Sequence, residues 1–600
     1  MKHQKAVPYY ALAMFSIATT ILLAQQPSSA SSFDPGIRSA TSASIQTEKA
    51  SEDAWFAHVQ FLASDDLKGR RTGTPDFIHA VEYVETQFKA IGLRPAGKDG
   101  YRQSVTFRSA TVDVDHSSLE LIHSDGQAEK LNIGSGVSLN PNTEGDVSVS
   151  APLVFAGYGL VVPGLGLNDL KGIDLHGKVA VIFLAAPTSV HGPLKAYFRT
   201  AAARWKALKA AGSVGLITIP EARQFAGGPG RGVGGAAGVG ADAPPEQPGG
   251  TVSAGNSNRS AGNAGAEAPQ GGAGRGAGSE RQPGLQLADP ALNPLAGAQL
   301  NATLPASSAA VLFAGSPHTL EELQALAKKG DPLPEFPLPV SVRSTTTTKV
   351  ISTVEAPNVV GELEGNDPKL KHEYLVLSAH LDHLGVGRPV DGDAVYHGAM
   401  DNASGIASLI ETAKALSNGP RPKRSIIFLA LTGEEEGELG SQYFTHYPTV
   451  PREQIIADLN MDMYLPIFPL HFLEVQGLGE STLGNDARAA AQLNDIEVQF
   501  DKQPDENRFI RSDQASFVKY GIPGLAFKFG WLPDTPEQKA FNDWIRNRYH
   551  HPGDNLTQPI DREGAVHFDR VLFTLITRVA NSPSRPAWYP ESFFSTIPRT

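Results

Sequence analysis

Cysteine is absent from this 600-residue chain. That removes disulfides, thiol catalysis and thiolate metal ligands together, so any bound metal must be held by His, Asp and Glu. Long basic runs are missing too, and the formal net charge is -12. Such a balance argues against nucleic acid as the main partner. Only the first thirty residues hold an apolar stretch of the kind that membranes read, and no later segment is long and apolar enough to span one.

That stretch has the order of an export signal. Lys2 and Lys5 form a short basic start, apolar residues run from about Tyr9 to Ala24, and the small residues Ser28-Ser29-Ala30-Ser31 follow. Cleavage after Ala24 or Ala30 is expected, leaving a mature protein outside the cytoplasm, secreted or periplasmic. The alternative is an uncleaved anchor helix, for which the apolar run is short.

Six hundred residues exceed one ordinary core, so two folded units are expected. Residues 1–30 are assigned to the signal, 31–50 to a linker, and 51–110 to the first part of one domain. Within this part, Thr74-Pro75-Asp76 opens a helix, Phe77, Val81, Val84, Phe88 and Ile91 recur at helical spacing, and Gly92 stops it. Residues 111–348 are β-rich, with strands expected at Val154 to Gly159, Val179 to Leu184 and Val214 to Ile219, and a helix from Ala201 to Ala211. Inside this region, 226–283 is a run of Gly, Ala, Pro, Ser and Asn whose composition predicts disorder. From 349 to 600 the pattern is α/β. Tyr374 to Ser378, Ser425 to Thr432 and Ile456 to Met461 read as buried strands, alternating with helices such as Ile406 to Leu416.

Ionisable residues sit just after these strands, where open α/β sheets place their ligand sites. The first strand leads into Ala379-His380-Leu381-Asp382-His383, in which His380 is either a metal ligand steadied by Asp382 or an ordinary loop histidine. Next comes Met400-Asp401-Asn402-Ala403-Ser404-Gly405, in which Asp401 is a ligand or a helix N-cap. The strongest piece is Gly433-Glu434-Glu435-Glu436-Gly437. Three adjacent carboxylates after eight mostly apolar residues repel one another unless a cation is present. Asn460-Met461-Asp462 repeats the strand-end carboxylate, and Tyr549-His550-His551-Pro552-Gly553-Asp554 adds histidines and a further acid that orients one of them or stabilises the turn. Two imidazoles, three carboxylates and a spare glutamate suit two divalent ions roughly 3.5–4 Å apart sharing one carboxylate. Histidine in an all-N/O donor set favours zinc.

The series His380-x-Asp382, Asp401-Asn402-Ala403-Ser404-Gly405, Glu434-Glu435, Asn460-Met461-Asp462 and Tyr549-His550 resembles the di-zinc aminopeptidase and glutamate carboxypeptidase family of the transferrin-receptor-like superfamily. The resemblance covers about 55–110 and 349–580. It implies a mixed, mainly parallel sheet sandwiched by helices and two zinc ions. His380 and Asp462 fall on ligands of one ion, Glu435 and His550 on ligands of the other, and Asp401 on the bridge. Glu434 falls on the general base, Asp382 on the residue orienting His380, and Tyr549 on a stabiliser of the oxyanion. Arg511 and Asp513 lie in a segment that resembles the lining of the family's cleft. The middle region resembles the protease-associated (PA) domain inserted in many members, although its Gly-rich run matches no family feature.

The expected activity is an exopeptidase that removes N-terminal residues from peptides, with Glu434 taking the proton from a zinc-bound water. Carboxypeptidase or dipeptidase action is the runner-up, with Arg511 or Lys528 available for a substrate carboxylate. A single-zinc glutaminyl cyclase and a binding protein that has lost its ligands fit less well, because no ligand is missing here.

Overall fold

The structure is a computed structural model that describes residues 42–600, apart from 142–144, 191, 199, 221–283, 505–507, 598 and 600. The expected signal segment and the whole Gly-rich run, from 226 to 283, lie outside the described residues. The chain divides into two units, Met1–Thr47 and Glu48–Thr600, and the second carries both large sheets. No described helix is long and apolar enough to cross a membrane.

The first lobe is built on a nine-stranded sheet. In chain order its strands are β1 (Arg94–Pro95), β2 (Arg102–Gln103), β3 (Asn358–Leu363), β4 (Tyr374–His380), β5 (Ser425–Leu431), β6 (Ile455–Asn460), β7 (Phe472–Gln476), β8 (Glu497–Gln499) and β9 (Gly524–Gly530). Across the sheet they run β1-β3-β5-β4-β6-β9-β7-β8, with β2 also paired to β3. The central strands β5, β4, β6 and β9 are mutually parallel; β3 runs antiparallel to β5 and β7 antiparallel to β9, while β8 is parallel to β7. The fold is thus mixed α/β, with its parallel strands at the centre.

Residues of β4 and β5 alternate between two apolar layers. Leu375, Leu377, Ile426 and Phe428 face a core shared with the helices Pro75–Ile91, Ser404–Asn418 and Arg562–Asn581. Val376, Ile427 and Leu429 face a second core that takes in Phe444 and Phe517 from the helices Leu439–His446 and Gln514–Val518. Helices cover both faces, which is why these strands read as unbroken apolar runs. The helix expected from Thr74 forms over Pro75–Ile91; the Thr74 hydroxyl accepts the Phe77 N–H at 3.2 Å and Gly92 closes it at φ 82°.

A second sheet of ten strands stands between β2 and β3 in the chain and has apolar clusters of its own. Its parallel core is Gly145–Ala156, Val179–Phe183, Gly215–Ile219 and Leu300–Thr303, with the helix Ala201–Ala210 between the second and third of these. The strand expected at Val154 to Gly159 begins earlier and stops at Ala156, because Gly157 and Gly159 turn to φ 57° and 67°. A long strand, Glu335–Glu355, crosses this sheet and leads straight back to β3.

Buried within β6, Asp458 has one carboxylate oxygen 2.8 Å from the Ser378 hydroxyl and the other without a hydrogen bond. Burial pushes its pKa well above the usual carboxylate range; the Ser378 bond opposes the shift and the Asp513 charge adds to it. The folded state therefore holds a proton that the unfolded chain releases above about pH 4, so this group costs stability as pH rises. Asp458→Asn is expected to gain stability over the wild type between pH 5 and pH 8, measured by urea unfolding at both values. A constant difference across that range would show that Asp458 is ionised.

Candidate metal centre

Three parallel strands end together, and their ends carry the acids and imidazoles. His380 is the last residue of β4, Glu434 follows β5 across a turn at Gly433, and Asp462 lies two residues beyond β6. The loop before the helix Ser404–Asn418 brings Asp401 to the same point. His380 Nε2 is 3.2 Å from Asp401 Oδ1 and 3.1 Å from Asp462 Oδ1. His550 Nε2 is 3.4 Å from Asp401 Oδ2 and 3.1 Å from Glu435 Oε2. Asp401 thus stands between two groups of donors.

Each loop is held by its own backbone contacts. The Asp382 carboxylate accepts the N–H groups of Glu434 at 3.2 Å and Glu435 at 3.4 Å, while His380 Nδ1 is 3.1 Å from the Asp382 carbonyl and 4.0 Å from its Oδ1. Asp554 accepts the N–H groups of Met400 and Asp401, both at 3.0 Å, and also takes a bond from Gln558. Asn402 donates to the Met461 carbonyl at 2.7 Å and accepts the Gly405 N–H at 3.1 Å, tying the Asp401 loop to the Asp462 loop. The ring of Tyr549 stacks on His550 with centroids 3.9 Å apart.

The electrostatics follow from burial and crowding. Burial alone lowers the pKa of His380, yet Asp401 and Asp462 outweigh it and hold the imidazole well above its ordinary value. At His550 burial pulls the same way, and Glu435 and Asp401 raise it to about 10. Burial raises Glu435, but His550 and His383 bring it down to about 2. Glu434 is pushed well above the carboxylate range by burial, with Asp462, Glu435 and Asp513 adding to the shift and His380 opposing it. Burial raises the Tyr549 phenol, and four carboxylates reinforce the shift. The acids thus draw protons onto the imidazoles, which is the signature of a centre short of positive charge.

These residues fit a cation. Atoms of His380, Asp401 and Asp462 lie within 4.8 Å of one another, as do those of His383, Asp401 and Glu435, and those of His380, Glu434 and Glu435. Asp401 Oδ2 and His383 Nε2 are buried without a well-formed hydrogen bond, and the ion-pair partners facing Asp401 Oδ2 among the described residues are the imidazoles of His550 at 3.4 Å and His383 at 3.9 Å. The set is all nitrogen and oxygen, which suits zinc.

His383 was not among the ligands expected from the sequence, yet its Nδ1 lies 2.6 Å from Glu435 Oε1. The spacing of three residues from His380 was its only signal. Of the adjacent histidines, His550 turns to the carboxylates, whereas His551 Nδ1 accepts the Gly553 N–H at 3.0 Å and serves the turn. Asp513 is fully buried, and burial pushes its pKa up to about 8, with Glu438 and Asp462 reinforcing and His380 opposing. Arg511 is half-buried and its charge is felt at Glu438. Lys528 is buried with its ammonium 3.2 Å from the Met463 carbonyl.

Residues 358–576 match the family model described as Peptidase family M28. Leupeptin-inactivating enzyme 1 of Streptomyces exfoliatus is 28% identical over 264 residues, covering 42% of this chain and 55% of that protein. A probable leucine aminopeptidase 2 of Aspergillus oryzae is 29% identical over 249 residues, covering 38% of this chain and 46% of that protein. The chain spans about half the length, or less, of such curated relatives. Among solved structures, an aminopeptidase from Aneurinibacillus sp. strain AM-1 has a TM-score of 0.43 and 19% identity, over 92% of this chain and 99% of that one.

Close packing of the Asp401 loop yields a test. A Cβ on Gly405 would stand 2.2 Å from the Met461 carbonyl and 2.3 Å from Asn402 Oδ1. Gly405→Ala is expected to cost about 1–3 kcal/mol of stability and to lower the metal content of the folded protein, because both acid-bearing loops must part. Urea unfolding and elemental analysis read the two effects, and wild-type values in both would show that the loops are not tightly keyed.

Proposed function

We propose that the protein is a zinc exopeptidase that removes N-terminal residues from peptides, a reading supported by the match of residues 358–576 to the model of Peptidase family M28. The observation that carries this reading is Asp401, whose two carboxylate oxygens face separate donor groups, His380 on one side and His550 on the other. A carboxylate so placed suits two zinc ions. His380 and Asp462 would complete the ligands of one, and Glu435 and His550 those of the other. His383, so close to Glu435, would support that ligand. The leucine aminopeptidase relatives favour the N-terminal end of a peptide over the other, and an acidic cleft suits a substrate ammonium.

Zinc, when bound, supplies Lewis acidity towards water and the scissile carbonyl. Glu434 stands at the β5 strand end without being needed as a ligand, so it acts as the base, taking a proton from the attacking water and passing it to the leaving amine. The Tyr549 hydroxyl, held beside His550 by ring stacking, donates to the oxygen of the tetrahedral intermediate. Asp382 holds the turn that presents Glu434 and Glu435, through the two N–H groups it accepts. Arg511, half-buried, would line the approach, whereas Asp513 is fully buried. We further propose that the second sheet, from about 111 to 348, is an inserted PA-like domain beside the peptidase fold, and that the segment 1–30 directs export.

A carboxypeptidase or dipeptidase reading has one observation in its favour, the buried ammonium of Lys528 beside the Met463 carbonyl, one residue from Asp462. Zinc-loaded protein incubated with matched free and N-acetylated peptides separates the two. Stepwise N-terminal loss from free peptides alone is expected; C-terminal trimming of both sets would establish the alternative. A chelator should abolish turnover and added zinc restore it. Glu434→Gln should keep wild-type zinc content while kcat falls about 10²–10⁴-fold. Full turnover at full zinc content would remove Glu434 from the role.

A further inference from the structure

The turn Gly69–Thr72 lies outside the family match, nearly three hundred residues before it, yet it touches the loops that carry His383, Asp401 and Glu434–Glu435. Arg70 is completely buried. A guanidinium has five N–H groups, and all five here go to carbonyl oxygens. Nε donates to Leu381 at 2.8 Å, Nη1 to Leu62 at 3.0 Å and to His397, and Nη2 to Gly398 at 2.7 Å and Asp401 at 3.4 Å. The Arg70 carbonyl in turn accepts the His383 N–H at 3.4 Å, and the Gly69 carbonyl accepts that of Gly385 at 3.0 Å. Thr72 Oγ1 accepts the N–H of Gly433, just before the glutamates, at 3.0 Å. Arg71 donates to Glu436 Oε1 through Nε at 3.2 Å and Nη2 at 2.9 Å.

The backbone is shaped for this task. Lys68, Gly69 and Arg70 are all left-handed, at φ 41°, 69° and 37°. A Cβ on Gly69 would meet the Tyr396 carbonyl at 2.3 Å and that of Gly385 at 2.7 Å. Strain of this kind persists only where the surroundings over-determine it.

The choice of acceptors matters. Asp401, Asp382 and Glu435 all lie within electrostatic reach of the Arg70 charge. An arginine bonded to their carboxylates would occupy the oxygens that a metal needs. Bonded to carbonyls instead, it lends a fixed positive charge to the acid cluster and leaves the ligand oxygens open.

We propose that the turn Gly69–Thr72 is a positioning element of the metal centre, with Arg70 at its heart, fixing the loops of His383, Asp401 and Glu434–Glu435 in mutual register. The proposal rests on the zinc reading of the site and deepens it. Arg70 acts through the ligands it holds rather than on substrate.

The test compares two buried arginines. Arg204, in the helix Ala201–Ala210 that packs on the second sheet, also donates to backbone carbonyls, those of Tyr158, Phe183, Ala185 and Phe198, and serves as the structural control. Zinc affinity is measured by chelator competition on full-length Arg70→Lys, Arg204→Lys and wild type, together with Tm. Arg70→Lys is expected to lose about 10–100-fold in zinc affinity, while Arg204→Lys lowers Tm and keeps wild-type affinity. Wild-type affinity in Arg70→Lys, or losses in both variants that simply follow Tm, would overturn the proposal. If Arg70→Lys does not fold, Thr72→Val decides. It removes the acceptor for Gly433 together with the hydroxyl's contacts to Thr432 and Asp382, and should weaken zinc binding several-fold; unchanged affinity would overturn the proposal. Failure of the wild type to bind zinc would instead defeat the functional reading, so the two failures are distinct.

Discussion

Like charges gathered at the ends of buried strands set the terms for everything around them. Asp401, Glu434, Glu435 and Asp462 meet above β4, β5 and β6, with Asp382 and Asp554 directly behind them. In a low-dielectric setting such a group cannot remain ionised without compensation. Imidazoles from two distant parts of the chain supply some of it, the buried guanidinium of Arg70 supplies more, and ordered N–H groups take up the carboxylates of Asp382 and Asp554. What remains is a deficit of positive charge in the shape of a cation site.

The second layer explains why the first can be so acidic. Asn402 spans the Asp401 and Asp462 loops, Asp554 pins the backbone of Met400 and Asp401, and Asp382 pins that of Glu434 and Glu435. None of these contacts uses an oxygen or nitrogen that faces the centre. Rigidity is thus supplied by the backbone of the loops and reactivity by their side chains.

Much of this was legible in the sequence because it was local. A run of apolar residues ending in an acid identifies a strand and its acid-bearing end in one reading, as at Ser425 to Glu435. The helix Pro75–Ile91 was legible for the same reason, with its cap, period and glycine stop lying within twenty residues. What escaped was non-local. His383 resembles any loop histidine until Glu435 is brought against it. Arg70 reads as one of two surface arginines, since nothing in Gly-Arg-Arg-Thr reveals carbonyl groups that fold in from residues 381 to 401. The strand end at Ala156 was missed because apolar composition continues through glycines whose left-handed backbone breaks the ladder.

The order of the chain has a consequence for how the protein is made. β1 and β2 emerge early in synthesis, but their partner β3 arrives only after the whole second sheet. Until then Arg94–Pro95 and Arg102–Gln103 have no sheet to join, and the turn at Arg70 has no loops to hold. Closing so long a loop favours a slow, late docking step after the second sheet has formed. It also means that the span matched by the family model is not self-sufficient. Cut out alone, it would present β3 as a bare edge, open to pairing with other copies rather than with β1 and β2.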